Sequence, residues 1–143
     1  MDWETARGIA YYSHYGRRNP FGEMLIEHVA RVAAVVPPSA CATAWLHAVL
    51  EHSDTRSPEL RDHGLTGLEE ETLQLLTRAA GESFELHVLR IVHASGAAGD
   101  LARTVKLAAV DDHLAQASQD PVLRDEPPYA WARRHLASAC HTG

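Results

Sequence analysis

Trp45 to Thr55, WLHAVLEHSDT, sets two imidazoles and a carboxylate into an otherwise apolar stretch: His47, Glu51 and His52. Histidine is the side chain that titrates nearest neutral pH, so an imidazole beside a carboxylate suits proton transfer, and grouped imidazoles suit a transition metal. The segment should form a buried helix. Burying three titratable groups costs free energy unless each finds a partner or a use. His47 and Glu51 stand four residues apart and share a helix face, so a hydrogen bond between them is expected.

The elements that position these groups are helical throughout. Apolar residues recur at three- and four-residue spacing and alternating runs of strand type are nearly absent, which predicts an all-α fold. A first helix is expected from about Asp2 to His14, then a loop (YGRRNPFGEM) carrying Arg17 and Arg18. A second runs from Leu25 to Val36, where Pro37 and Pro38 stop it, and Ser39 is placed to cap a third that reaches His52. A short helix, PELRDHG, ends at Gly64, and Thr66 with Glu69 forms a capping box that opens a helix to about Ala80. An amphipathic helix follows over Glu82 to Ser95. The GAAGD segment reads as a turn that ends it, with Asp100 capping a helix from Leu101 to about Ser118. Pro121, Pro127 and Pro128 bracket a loop before a last helix near Tyr129 to Ala139.

The 143 residues suit a single domain, taken as 1–143, with no internal repeat. The net charge is -6, and twelve arginines and one lysine are scattered rather than gathered into a stripe, which argues against a nucleic-acid partner. No apolar run approaches the roughly 20 residues of a membrane span, and the start of the chain has no signal-like apolar region; a cytoplasmic location is expected. Cys41 and Cys140 are too few for a disulfide framework and are expected to be reduced.

Five segments in sequence order carry a resemblance: SHYG (Ser13 to Gly16), IEHVARVA (Ile26 to Ala33), WLHAVLEHSDT, LTRAAGESFE (Leu76 to Glu85) and TVKLAAVDDHL (Thr104 to Leu114). Over about residues 6–116 the chain resembles the small single-domain HD proteins related to the (p)ppGpp hydrolase domains of Rel/SpoT enzymes. Their corresponding motifs read AH-x-G, H-P-L-R-V-A, L-L-H-D-V-V-E-D-T, E-S-Y and V-K-L-A-D. The resemblance implies an HD-domain helical bundle. It also implies a divalent metal held by two histidines and two aspartates, which generates a hydroxide that attacks a phosphate ester. His28 and His47 match the two histidines. Ala48 and Ala109 stand where the two aspartates belong, and alanine offers no lone pair to a cation.

Histidines replace other family residues close by. His52 stands four residues beyond Ala48, at the second carboxylate of the family's E-D pair, and His113 stands four beyond Ala109. Helical side chains lean toward the N-terminus, so each ring can reach back over the vacated position. Three readings stand. In the first, His28, His47, Glu51, His52 and His113 line a metal-free pocket that carries out acid-base chemistry on a small molecule, with no cofactor. In the second, His28, His47, His52 and His113 bind a divalent transition metal in a rearranged hydrolase site. In the third, the protein is an inactive relative that binds a small molecule or nucleotide, and the histidines are satisfied core residues. Lys106, Arg17 and Arg18 are candidate substrate-binding residues in all three. The apolar Met24-Leu25-Ile26 before His28 hints at a ligand less like a nucleotide. Asp111 points about 200° away from Ala109 around the helix, while Asp112, at about 300°, lies near the same face. His14 is expected in the core or at the rim, and His63, His87, His93, His135 and His141 show no constellation.

Overall fold

The computed structural model describes residues 1–19, 22–117 and 128–141, and within them the protein is all-α, with no strand beyond one isolated bridge between Arg18 and Met24. α1 (Trp3–Ser13) begins at Asp2, whose carboxylate accepts the Thr5 N–H at 2.8 Å as an N-cap. α2 (Leu25–Val35) ends before the two prolines, and a 3₁₀ turn over Pro38–Ala40 leads into α3 (Cys41–Leu46) and α4 (Val49–His52). α5 (Ser57–Asp62) is short. α6 (Gly67–Leu76) opens on the expected reciprocal bonds, Glu69 N–H to the Thr66 hydroxyl at 3.1 Å and Thr66 N–H to the Glu69 carboxylate at 2.8 Å. α7 (Phe84–Val92), α8 (Gly96–Ala117) and α9 (Tyr129–His141) complete the order.

α8 is the long central element. α2, α6, α7 and α9 all pack on it, while α1 and α2 pack on α3. Leu46, Leu60, Leu73, Val88, Ile91, Val105 and Leu136 are almost wholly removed from solvent. Each such side chain contributes about 2 kcal/mol through apolar burial. Among the described residues no helix is long and apolar enough to cross a membrane, and Cys41 and Cys140 are both free.

Three expectations are corrected. The helix expected from Ser39 to His52 is broken at His47 and Ala48. Ser39 lies in the 3₁₀ turn and caps nothing, and the N-cap of α3 is Ala40, without a side-chain bond. At the break, the Ala44 carbonyl accepts both the His47 N–H, at 3.3 Å, and the His47 ring Nδ1–H, at 2.7 Å. That tightens the turn to three-residue spacing. The helix expected to reach Ala80 stops at Leu76, because Thr77 turns to extended backbone and the Arg78 N–H bonds to Glu51 across the fold.

The GAAGD segment is helix, the first turn of α8, and Asp100 pairs with Arg103 at 2.6 Å instead of capping. Gly96, at φ 75°, takes the reversal, and the alanines that follow favour helix. Arg103 donates to the carbonyls of Ile91, Val92 and Ala94, so α8 satisfies groups that the end of α7 leaves open. Gly99 permits the close approach, since a Cβ there would be driven into the carbonyl of Ala94. Gly99→Ala is therefore expected to lower stability by about 2 kcal/mol, read by urea denaturation, although the same change in an open helix stabilises by about 1 kcal/mol. The loop expected at Pro121 and Pro127 lies outside the described residues; Pro128 immediately precedes α9.

Candidate functional site

A cavity of about 680 Å³ lies where these helices meet. α2 supplies His28, the α3–α4 break supplies His47 and Ala48, α4 supplies Glu51 and His52, and α8 supplies Lys106, Ala109 and His113. All five expected acid-base residues therefore line one space. Arg18 lines it too, but Arg17 does not; its guanidinium lies 3.8 Å from Asp54 instead.

Each imidazole is set by its partner. His28 is buried and its Nδ1 lies 2.6 Å from Oδ2 of Asp112. Burial alone would raise the Asp112 carboxyl, but hydrogen bonds from His28 and from Arg31, whose Nε lies at 2.7 Å, hold it well below the carboxylate range. An ionised carboxylate only accepts, so Nδ1 of His28 carries a proton, and Nε2 is the nitrogen that holds the lone pair whenever the ring is neutral. Arg31 is braced in turn by Glu23 at 2.7 and 2.8 Å. His47 reaches the same tautomer by donating Nδ1–H to Ala44, and burial, then the neighbouring charge at His28, pushes it down to about 3.

His113 stacks on His28, with ring centroids 4.5 Å apart, and on Tyr129 at 4.8 Å with rings 6° from parallel. Burial is the main cause that lowers His113 to about 3, followed by the charges at His28 and Lys106. His52 is half exposed at the rim, with Nε2 2.7 Å from Glu51 Oε2. The expected His47–Glu51 bond does not form. The break in the helix gives His47 a backbone partner, and Glu51 turns to His52 and to the Arg78 N–H at 2.8 Å. Burial would raise Glu51, yet the His52 and Arg78 hydrogen bonds outweigh it and hold the carboxyl at about 2.

Sequence reasoning missed Asp112 as a partner, although its place near the Ala109 face was visible. It also missed four wall residues: Arg78, Phe84, His87 and Tyr129. The first two fall in the LTRAAGESFE segment. The sequence places His87 in no cluster. Arg90 donates to its Nδ1 at 3.2 Å, which puts the ring proton on Nε2, and burial, then Lys106 and Arg90, lowers it to about 4. The cavity wall thus offers lone pairs from His28 and His47 and an N–H from His87. His14 is in the core, with neither ring nitrogen hydrogen-bonded among the described residues.

No family model matches the chain, and no curated protein matches it either.

A divalent cation does not fit this donor set. Among the described residues no three His, Cys, Asp or Glu side chains are arranged to hold an ion. Ala48 and Ala109 contribute only methyl groups to the wall, the Asp112 carboxylate is taken up by His28 and Arg31, and His52 is turned to Glu51.

Proposed function

We propose that the protein is an acid-base enzyme that acts on a small anionic molecule without a metal, in a pocket inherited from an HD-type hydrolase. The observation that carries this reading is the His28–Asp112 pair. A buried carboxylate that fixes an imidazole tautomer, and offsets the charge when the ring takes a proton, is how catalytic histidines are organised on unrelated folds. His28 is the general base in this reading, acting through Nε2. Glu51, held near 2, is too acidic to accept a proton efficiently near neutral pH, so it orients His52 instead.

The charge of the wall supports an anionic substrate. Arg18, Arg78 and Lys106 face one carboxylate, Glu51, in a chain whose net charge is -6. The resemblance to HD proteins supports the place of the pocket, and its two missing aspartates support chemistry without the metal.

The test is a panel of small phosphorylated and carboxylated compounds assayed in EDTA. Turnover is expected to survive the chelator, to fall by roughly 10²–10⁴-fold in His28→Gln and by less in Glu51→Gln. Turnover only with added manganese or zinc would overturn the metal-free reading. A pure binding role is the second reading, favoured by the stack of His28, His113 and Tyr129, which suits a planar ligand. It predicts a raised melting temperature with some panel member and no turnover with any.

A further inference from the structure

Lys106 is the chain's only lysine, and it lies in the cavity wall. Its Nζ sits 5.7 Å from the centre of the Phe84 ring, and among the described residues it forms no ion pair or hydrogen bond with a carboxylate. The carboxylate that lines the same cavity, Glu51, is engaged by His52 and by the Arg78 N–H. An amine beside an aromatic ring, in a cavity wall shared with cationic Arg78 and the imidazoles of His28 and His47, is arranged as lysine nucleophiles are.

We propose that Lys106 condenses with a small carbonyl compound bearing an anionic group, of the 2-oxo acid class, to form an imine in this cavity. The proposal deepens the acid-base reading and rests on it for the proton transfers. The Nζ lone pair attacks the carbonyl carbon and gives a carbinolamine. A wall imidazole carries the two amine protons to the oxygen in turn, the first to complete the carbinolamine hydroxyl and the second to let it leave. The C–O bond then breaks, one water leaves, and the C=N bond forms. Amine and carbonyl become imine and water, with no oxidant or reductant. His28 and His47 hold the lone pairs this shuttle needs, and Arg18 and Arg78 supply charge for the substituent. Burial also pushes the ammonium down to about 8, against the pull of Glu51, which frees part of the amine near neutral pH.

The experiment uses the full chain with pyruvate and sodium cyanoborohydride near neutral pH, followed by intact mass and peptide mapping. One adduct is expected, on Lys106, forming roughly tenfold or more faster than in the same chain unfolded in urea. Peptide mapping separates an adduct on Lys106 from one on the Met1 amine, which pairs with Glu69 at 2.8 Å. Acetone, the neutral counterpart of pyruvate, is expected to label more slowly; equal labelling overturns the anionic requirement. Absence of an adduct, an adduct on Met1 instead, or a rate no faster than in urea overturns the nucleophile. Lys106→Arg and Lys106→Met should both abolish labelling while keeping the wild-type melting profile. If one fails to fold, the other carries the control, and the wild-type comparison with urea stands without either. An adduct on Lys106 with no turnover of any panel compound sinks the acid-base reading and keeps the nucleophile. Turnover that persists in Lys106→Met, with no adduct on wild type, does the reverse.

Discussion

Below about pH 6 the unfolding free energy is expected to fall by about 3 kcal/mol per pH unit from His14 and His87 alone, and by about 5 when His47 and His113 are added. These four rings are held neutral in the fold, at about 4, 4, 3 and 3 respectively, with burial the largest cause for each. In the unfolded chain each takes a proton near pH 6.5. The unfolded state therefore binds more protons across the interval from about 6.5 down to the folded values. The stabilisation is complete above 6.5 and is lost as pH falls. Carboxylates extend the loss at lower pH: Glu51 and Glu82, each held at about 2, and Asp112, also depressed, must take up protons on unfolding in acid. Small domains have about 5–15 kcal/mol in reserve, so the chain should unfold well above the pH at which its carboxylates alone would fail. Urea denaturation at pH 8, 7, 6 and 5 checks this, with a shallow fall expected from 8 to 7 and a steep fall below 6. Constant stability from pH 7 to 5 would show that the buried rings accept protons without opening the core.

Asp112→Asn is expected to cost about 2–4 kcal/mol of stability and roughly 10²–10⁴-fold in turnover. The pair it breaks is well removed from solvent, with side-chain exposures of 5% for His28 and 11% for Asp112. The amide is nearly the same size, so the loss is electrostatic rather than a cavity. Arg31 keeps Glu23 but loses the charge that receives its Nε and one NH₂ group, and a charged group left without its partner is costly. The amide also presents an N–H₂ as readily as an oxygen, so the His28 proton is no longer confined to Nδ1. Nitrogen NMR of the ring reads that directly and separates a positioning role from general destabilisation. Wild-type stability together with an unchanged tautomer would remove the His28–Asp112 pair from the mechanism.

Much of the local structure was written in the chain. Helical periodicity, the prolines after α2 and the Thr66–Glu69 box act over three or four residues, so short-range spacing predicts them well. The candidate residues stood out on similar grounds. His47, Glu51 and His52 are titratable groups in an apolar helical segment, and Lys106 is a single lysine on a helix that also carries His113. The GAAGD segment misled because glycine and aspartate signal turns locally, while here Arg103 and the packing of α8 on α7 favour extending the helix through them.

The pairings belong to the tertiary structure alone. Asp112 meets His28 across 84 positions, and the Arg78 N–H meets Glu51 across 27. The i, i+4 rule chose His47 for Glu51 because it assumes an unbroken helix, and the break at Ala48 cancels that assumption. Which carboxylate orients which ring, and hence which nitrogen faces the cavity, depends on how α2, α4 and α8 cross. Residue types and spacing determined that an all-α bundle would carry these groups. Only the packing of distant helices, driven by apolar burial far from the histidines, decided which of them share a proton.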